Sequence, residues 1–284
     1  MSDLLEHWVI GDVQGCLHSL QHLLAQPGLL DNPQAHFYFA GDMINRGPAS
    51  LQVLEYIDSL GARAQCVLGN HDIHFLSVAS GKRRANRLDT FEDILQSPRC
   101  QYWVDWLRRQ PLCLEVAGHL IVHAGVDPRW SLQDLYLTAH EIEQLLQSDE
   151  WGAHLLRLFG NEPAQWSRTL SGYERLRYGL NVITRIRYML RSNLSLNFSD
   201  KGAPAQADTS LIPWFEVTPR KISQPIVFGH WSTLGLLSQH NVYALDTGAL
   251  WGGQLTAMRI PDGKVIQVAA QEPPSLLPQP AVRT

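Results

Sequence analysis

The sequence predicts an α/β protein whose strands form a layered sheet, with polar motifs gathered beyond the strand ends. Two observations support this class. Short runs rich in β-branched and aromatic residues each end where a glycine or a histidine begins, as buried strands do. Between the early runs, leucines recur at helical spacing. Strand, loop, helix and strand in this order is the pattern of a layered α/β sheet.

The predicted strands and helices alternate along the first part of the chain. A further strand beginning at residue 241 leads into a turn with Asp246, for which a purely structural role and a supporting role near the site both stay open. The predicted strands are residues 8–10, 37–40, 66–68, 120–122 and 226–228, and the leucine-rich helices contain Leu17, Leu20, Leu23, Leu24, Leu51, Leu54 and Ile57.

Residues 131 to about 200 depart from this alternation and predict a helical insertion. Ser131 opens an amphipathic helix, and further helical patterning runs through Leu155 and Phe159 and then from Tyr173 onward. We expect one domain over residues 1–271 that contains this insertion. Four prolines in residues 272–284 predict an extended tail.

The composition is that of a globular protein without an overall polycationic character. The chain has 284 residues, 45% of them hydrophobic, and a formal net charge of -4. No apolar run has membrane-spanning length, and the four cysteines contain no C-x-x-C pair. We therefore expect a cytoplasmic protein with reduced thiols and no membrane partner. No motif indicates an obligate protein partner.

Five motifs place a residue able to bind a metal directly after a predicted strand. In open α/β sheets such strand ends are where ligands collect, and glycine lets the backbone turn sharply there. The motifs are Gly11-Asp12-Val13-Gln14-Gly15, Gly41-Asp42-Met43-Ile44-Asn45-Arg46-Gly47, Gly69-Asn70-His71-Asp72, Ile121-Val122-His123-Ala124-Gly125 and Val227-Phe228-Gly229-His230-Trp231.

This residue set predicts a two-metal centre for phosphate chemistry. A carboxylate shared by two cations lets both approach one phosphate, and Asp42 is the candidate bridge. His71 is placed to donate a proton to the leaving oxygen, and Arg46 to clamp phosphate oxygens. The remaining candidate ligands are Asp12 for one metal and Asn70, His123 and His230 for the other.

Together the motifs resemble those of the calcineurin-like metallophosphoesterases over roughly residues 8 to 253. The resemblance is strongest to members that cleave diadenosine tetraphosphate into two ADP, and rests also on Trp106-Leu107-Arg108-Arg109-Gln110-Pro111-Leu112, Phe228-Gly229-His230-Trp231 and Ala244-Leu245-Asp246-Thr247-Gly248. It implies two packed mixed sheets flanked by helices in an αββα arrangement. It also implies two divalent ions (Mn²⁺, Co²⁺ or Mg²⁺) and a dinucleoside polyphosphate substrate.

Two positions depart from the superfamily pattern. Gln14 stands where a histidine normally helps to hold the first metal, so Gln14 is a candidate ligand that binds more weakly. Asn45 stands where protein phosphatases place an aspartate that pairs with the acid histidine. Without that charge His71 suits a good leaving group, and ADP, whose terminal phosphate has its second pKa at about 6, is one.

A local excess of arginine predicts substrate capture by the insertion. Six arginines stand against one acid between residues 168 and 191, and Arg185 and Arg187 lie in a family-typical stretch. With Arg46 and Asn45 they are our candidate substrate-binding residues. The interleaved Trp166, Tyr173, Tyr178 and Tyr188 could stack adenine or the guanidinium groups, and core packing is the alternative.

A second basic group, Lys82, Arg83, Arg84 and Arg87, follows the Gly69-Asn70-His71-Asp72 motif. It is interpreted either as a solubilising loop or as a contact for distal phosphates or for capped RNA.

Three functions are open at this point. The first is symmetrical hydrolysis of dinucleoside tetraphosphates, with removal of nucleoside-tetraphosphate caps from RNA as an additional activity. The second is a protein Ser/Thr phosphatase on the same scaffold. The third is a non-catalytic nucleotide or RNA sensor, in which the weakened site at Gln14 no longer supports turnover.

Overall fold

A computed structural model describes residues 5–273 of the chain. The proline-rich tail predicted at 272–284 lies almost wholly outside the described residues.

The first sheet is built from both ends of the chain. Strands β1, β2 and β3 are parallel neighbours, and β12 and β13 add to the free side of β1 in antiparallel fashion, so the order is β13-β12-β1-β2-β3. Parallel pairing aligns the carboxyl ends of β1, β2 and β3 at one edge. The strands are β1 (Glu6–Ile10), β2 (Ala35–Phe39), β3 (Ala64–Cys66), β12 (Gln254–Ile260) and β13 (Val265–Ala269).

The second sheet is also mixed. Its order is β10-β11-β9-β5-β4, and β5, β9 and β11 are parallel, so their carboxyl ends are also aligned. The strands are β4 (Cys113–Val116), β5 (His119–Val122), β9 (Ile226–Phe228), β10 (Leu237–Gln239) and β11 (Val242–Ala244).

The two sheets pack face to face through a small apolar layer. Val9, Tyr38 and Val67 of the first sheet region form one buried cluster with Ile121 and Val227 of the second. A larger cluster fills the space between the sheets and the helices. The predicted αββα arrangement of two mixed sheets flanked by helices is confirmed.

The helices follow the strands as the leucine spacing predicted. Leu20, Leu23 and Leu24 of α1 and Val53, Leu54 and Ile57 of α2 are buried. The helices are α1 (Leu17–Leu24), α2 (Ser50–Ser59), α3 (Asn70–Ala79), α4 (Glu92–Leu95), α5 (Cys100–Leu107), α6 (Leu132–Gln147), α7 (Trp151–Leu158) and α8 (Gly172–Arg185).

The insertion is only partly helical. Ser131 caps α6 as predicted, since its hydroxyl accepts a hydrogen bond from the Asp134 N–H. After α8 the chain becomes extended at Ile186, and residues 188–213 form a small third sheet of order β7-β6-β8. Its strands are β6 (Tyr188–Leu190), β7 (Leu196–Asn197) and β8 (Leu211–Pro213). The expectation of helices up to about residue 200 is therefore wrong beyond Arg185.

The predicted strands agree with the structure to within a few residues. The run at 66–68 is the exception, because the strand ends at Cys66, and the N–H of Leu68 donates instead to the Pro111 carbonyl oxygen. Across residues 5–273, no helix is both long enough and apolar enough to cross a membrane.

Candidate metal centre and phosphate-binding cavity

The five motifs meet where the carboxyl ends of both sheets come together. Asp12 follows β1, Asp42 follows β2, and Asn70 begins α3 after β3, whereas His123 follows β5 and His230 follows β9. The first three belong to one sheet and the last two to the other. The site therefore exists only because the sheets pack with their aligned strand ends at the same edge.

Glycine is required where neighbouring strand ends approach the two carboxylates of the site. A Cβ on Gly229, which follows β9, would overlap Asp12 Oδ1, and a Cβ on Gly69 would overlap the Asp42 carboxylate. The freed space lets the His230 N–H donate to Asp12 Oδ1 at 2.9 Å and the His71 N–H donate to Asp42 Oδ1 at 2.7 Å. These contacts hold both carboxylates in place.

The backbone of the site is locally strained. Gln14, Asp42, Asn45, Arg46 and His230 have φ angles between 47° and 78°, the left-handed region that L-residues rarely adopt. Such conformations direct side chains towards the cavity, whereas a regular extended backbone at the strand end would direct them away from it.

Three ligand types converge on one point of the site. Ligand atoms of Asp42, His123 and His230 all lie within 4.8 Å of one another. One polar atom of the Asn70 amide lies 3.2 Å from His123 Nε2 and 2.7 Å from His230 Nδ1. His123 Nδ1 lies 2.8 Å from the Ala40 carbonyl oxygen, which leaves Nε2 for a ligand. Carboxylate, amide and imidazole donors are a suitable set for a divalent first-row ion.

The carboxylates of the site are buried close to one another. Asp12 is buried, and its Oδ2 has no hydrogen-bond partner among the described residues. Burial and repulsion from Asp246 and Asp42 raise the pKa of Asp12 well above its usual value. Burial also raises the pKa of Asp246 to about 6. A buried acidic cluster with raised pKa values and an unpartnered carboxylate oxygen fits a bound cation, and Gln14 lines the same cavity.

Asp72, the last residue of the third motif, has a supporting role that the sequence did not reveal. Its buried carboxylate accepts hydrogen bonds from the N–H groups of Asp42, Met43 and Gly69. It thereby ties the start of α3 to the loop that carries Asp42. Burial and the neighbouring Asp42 charge raise the pKa of Asp72 to about 7.

Asn45 lies behind His71 and not at the substrate position that we expected for it. Its side chain is fully buried, and Oδ1 accepts from the N–H groups of Arg46 (2.8 Å) and Thr90 (3.0 Å). The amide orientation is therefore fixed, and Nδ2 donates to His71 Nδ1 and to Asp89 Oδ1, both at 3.0 Å. The amide has no atom left for a substrate.

These contacts also determine which nitrogen of His71 carries a proton. Because Nδ1 accepts from Asn45, the neutral ring is protonated at Nε2, which lies 3.9 Å from Asp42 Oδ2. Burial lowers the pKa of His71 to about 4. Asp89, in a loop that carried no motif, accepts a hydrogen bond from Asn45 and contacts His74, and it does not pair with His71 directly.

A cavity of about 510 Å³ opens over this centre. Four cationic side chains line it, namely Arg46, Arg185, Arg187 and Lys201. Arg46 lies 4.0 Å from Asp89, and the other three have no salt bridge within residues 5–273. Burial and repulsion from Arg187, Arg185 and Arg46 lower the pKa of Lys201. The cavity thus holds a concentration of positive charge beside the acidic cluster.

Arg187 is the most enclosed of these cations. Its Nη2 donates to the His230 carbonyl oxygen at 2.7 Å, and its Nε has no hydrogen-bond partner among the described residues. Burial lowers the pKa of Arg187 to about 10, against the attraction of Asp246, Asp12 and Asp42. The guanidinium stays charged at neutral pH and has a free donor.

Three of the other four arginines in the predicted cluster stabilise the insertion. Arg175 pairs with Glu141, Arg177 donates to the carbonyl oxygens of Arg157 and Glu162, and Arg191 donates to that of Thr209. Only two of the six arginines reach the cavity. Sequence spacing could not separate them, because all six occupy one helix and the residues around it.

The four aromatic residues considered for stacking pack within the protein. Trp166 and Tyr178 contact Trp130, Tyr188 contacts Trp231, and Tyr173 stacks under Arg157. The cavity is lined instead by Phe198 and Trp251, which sequence reasoning missed together with Lys201. Phe198 and Lys201 lie outside the recognisable motifs, whereas Trp251 belongs to a stretch that carries the family resemblance but had no cavity role assigned to it.

The second basic group lies in an exposed loop next to the cavity. Lys82, Arg83, Arg84 and Arg87 are all exposed, and Leu88 of the same loop lines the cavity. The Arg46 guanidinium donates to the Leu88 carbonyl oxygen at 2.9 Å. The loop thus helps to orient a cationic residue of the site.

Comparison with known proteins gives consistent matches. The profile of the calcineurin-like phosphoesterases matches residues 7–192. A Bordetella pertussis protein named symmetrical bis(5'-nucleosyl)-tetraphosphatase is 45% identical over 262 residues, which cover 92% of this chain and 94% of that protein. A Methylococcus capsulatus protein of the same name is 42% identical over 263 residues, covering 92% and 94%.

Solved structures show the same fold. A crystal structure described as a candidate diadenosine tetraphosphatase aligns with a TM-score of 0.63 at 21% identity, covering 94% of both chains. A Saccharomyces cerevisiae protein serine/threonine phosphatase aligns with a TM-score of 0.54 at 15% identity, covering 96% of this chain and 81% of that one. Identities this low are evidence of the fold alone.

Proposed function

The chain belongs to the calcineurin-like phosphoesterase family, and from this premise we propose that it hydrolyses symmetrical dinucleoside tetraphosphates, converting diadenosine tetraphosphate and water into two ADP. The names of relatives that match over nine-tenths of its length support this substrate. In the reaction, water oxygen bonds to one of the two central phosphorus atoms. The bond from that atom to the central bridging oxygen breaks, and the oxygen leaves with the second ADP.

The observation that carries the proposal is the pairing of two opposite charge clusters in one cavity. Asp42, His123 and His230 offer a metal site, and Arg46, Arg185, Arg187 and Lys201 surround the adjoining space. A tetraphosphate chain carries several negative charges, and guanidinium groups bind phosphate oxygens bidentately. A phosphoserine side chain would need far fewer cations, which argues against the protein phosphatase alternative.

The proposed metal ligands are those that the motifs indicated. Asp12, Gln14 and Asp42 would hold one divalent ion, and Asp42, Asn70, His123 and His230 the other. Such ions, Mn²⁺, Co²⁺ or Mg²⁺, supply a water of lowered pKa and neutralise charge on phosphate. The raised pKa values of Asp12 and Asp246 and the unpartnered Oδ2 of Asp12 support a cation at the first position.

His71 contributes a hydrogen bond to the leaving oxygen. With Nδ1 accepting from Asn45, its Nε2–H is the only ring proton. A neutral imidazole donates that hydrogen bond readily but gives the proton up reluctantly. We therefore propose that His71, which the sequence suggested as a general acid, acts as a hydrogen-bond donor. An ADP leaving group, which departs readily as an anion, requires no more than this.

Product identification tests the proposal. The purified protein with Mn²⁺ or Co²⁺ should convert diadenosine tetraphosphate into ADP alone, as resolved by anion-exchange chromatography, and should leave phosphopeptides intact. The combination of ATP and AMP would contradict symmetrical cleavage. Tight nucleotide binding without hydrolysis in a single-turnover assay would favour the sensor alternative.

Removal of nucleoside-tetraphosphate caps from RNA is proposed as a second activity. The exposed cations of the loop beside the cavity support it, because RNA leaving the site would meet them. Neutralising Lys82, Arg84 and Arg87 should weaken salt-dependent binding of capped RNA and spare hydrolysis of the free dinucleotide. Equal effects on both substrates would contradict this role. Both substrates, and the four free thiols, agree with the proposed cytoplasmic location.

A further inference from the structure

We propose that a second cavity, adjoining the first, binds one nucleoside of the dinucleotide and recognises its base by stacking. This inference rests on the proposed function, because it assigns a place to the part of the substrate that the cationic cavity does not suit.

The second cavity lies between the insertion and the basic loop. It has a volume of about 400 Å³, within the range of small-molecule sites. Asn70 and Arg185 line both cavities. The two spaces are therefore adjacent compartments with the candidate metal ligand Asn70 at their boundary, so a substrate held at the metal centre can extend into either one.

The walls of the second cavity carry fewer charged side chains than those of the first. Ile73, Leu158, Phe159 and Leu180 provide apolar surface, whereas Arg83 and Arg185 are its only Lys or Arg side chains within residues 5–273. Apolar side chains beside neutral amide and hydroxyl groups, with half as many cations as in the first cavity, suit a purine and ribose better than a phosphate chain.

Phe159 and Arg83 supply a stacking pair. The Arg83 guanidinium lies 4.1 Å from the centroid of the Phe159 ring, and Arg83 belongs to an exposed loop. Aromatic faces and guanidinium planes are the two surfaces on which proteins stack unpaired bases. A base can take the place of Arg83 on the ring or insert between the two groups.

The polar edge of the cavity is organised by Arg185. Its Nη1 donates to Asn181 Oδ1 at 2.8 Å and to Asn161 Oδ1 at 3.1 Å, while Asn181 Nδ2 donates to the Gly160 carbonyl oxygen. Both polar atoms of the Asn181 side-chain amide are thus occupied. Asn161 is exposed, and its Nδ2 has no protein partner within residues 5–273, so it remains available to one acceptor of a base.

Symmetrical cleavage explains why such a compartment is needed beside the metal centre. The scissile bond lies midway between two identical nucleosides, so two equal arms must leave the centre in different directions. One arm can follow the cations of the first cavity towards Phe198 and Trp251, and the other enters the second cavity. With stacking and a single amide donor, this compartment distinguishes purines poorly.

Replacement of Phe159 tests the assignment. In Phe159→Ala we expect binding of a dinucleoside tetraphosphate with a non-hydrolysable central bridge to weaken about tenfold, the size of one lost stacking contact. Inhibition by inorganic tripolyphosphate, which has no nucleoside, should change by less than about twofold. Phe159→Tyr keeps the ring and should bind normally. The KM for the diguanosine substrate should stay within about threefold of that for the diadenosine substrate.

Matched controls separate the possible failures. Tyr102→Ala removes an exposed ring from α5 and should have no effect. If the wild-type protein hydrolyses no dinucleoside tetraphosphate, the proposed function fails. If the wild-type protein is active and Phe159→Ala binds the analogue normally, the assignment of the second cavity to a nucleoside is wrong. The assignment is also wrong if Phe159→Ala weakens tripolyphosphate inhibition as much as it weakens binding of the analogue. Should Phe159→Ala fold poorly, cross-linking of wild-type protein with 8-azido-ADP decides, since the label must map to residues 81–88 or 158–161.

Discussion

His71 presents a single, defined proton to the cavity because Asn45 occupies its other nitrogen. The Asn45 amide cannot rotate, since two backbone N–H groups hold its oxygen, and Asp89 accepts its second proton. An aspartate at position 45 would accept from His71 Nδ1 and so favour the doubly protonated ring. The replacement of a carboxylate by an amide at position 45 therefore makes His71 a hydrogen-bond donor instead of a general acid.

The tautomer of His71 is directly measurable. In wild-type protein the ¹⁵N chemical shift of His71 Nδ1 should be that of an unprotonated ring nitrogen, and Nε2 that of a protonated one. Asn45→Asp should convert Nδ1 to the protonated form, because a carboxylate only accepts. A protonated Nδ1 in wild-type protein would contradict this reading. Asp89→Asn, which leaves the Asn45 amide in place, should preserve the wild-type pattern of shifts.

At the scale of elements, the site depends on the close approach of strand ends from two sheets. Gly229 after β9 leaves space for Asp12 after β1, and Gly41 after β2 lies against the His123 ring after β5. Each contact joins one sheet to the other. The distance between the sheets at this edge is therefore set by residues without side chains.

Gly229→Ala should separate the two halves of the site. The new Cβ would occupy the position of Asp12 Oδ1 and break its hydrogen bond with the His230 N–H. We expect metal affinity, measured by calorimetry, or activity to fall about 10–100-fold, the usual cost of disturbing groups that orient metal ligands. Gly202→Ala is the matched control, since its nearest neighbour is the Asp200 side chain at 3.2 Å. Unchanged metal binding in Gly229→Ala would refute this account.

Much of the fold at this scale was predictable from the sequence, because buried strands and the glycine turns after them leave a local pattern. Strands β5 and β9 and the cap of α6 illustrate this. Strands β12 and β13, the third sheet, and the roles of Lys201 and Asp89 were not predictable. Their positions follow from pairing and packing between segments far apart in sequence, which no local spacing reveals.

On the scale of the whole molecule, metal binding and folding stability are expected to be coupled. Asp12, Asp42 and Asp246 are buried close to one another, and the pKa values of Asp12 and Asp246 are raised by burial and mutual repulsion. A group whose pKa is raised on folding destabilises the native state wherever it is ionised. A bound cation removes this penalty and adds its own binding free energy.

Asp246→Asn should reveal this coupling. In chelator-treated protein at pH 7.5 the variant should have a Tm a few degrees above wild type, because it lacks a carboxylate that is repelled when ionised. The gain should shrink as the pH falls below about 6, where wild-type Asp246 takes up a proton.

Calorimetry with and without added Mn²⁺ provides the check. With metal bound, the gain should vanish or reverse, because the carboxylate is then attracted. Asp149→Asn, at an exposed position, should show none of these effects. A variant less stable than wild type in chelator at pH 7.5 would overturn the coupling.

The site residues with left-handed backbone conformations lower folding stability while they serve the proposed activity. At Gln14, Asp42, Asn45, Arg46 and His230 the backbone conformation costs about 1–2 kcal/mol per non-glycine residue, and glycine would remove most of that cost. A selection for thermostable variants that ignores turnover should therefore enrich glycine at positions such as 46, where it deletes a cationic side chain that lines the cavity and is proposed to bind phosphate. Engineering of this enzyme towards heat resistance has to hold these five positions fixed and seek its gains elsewhere.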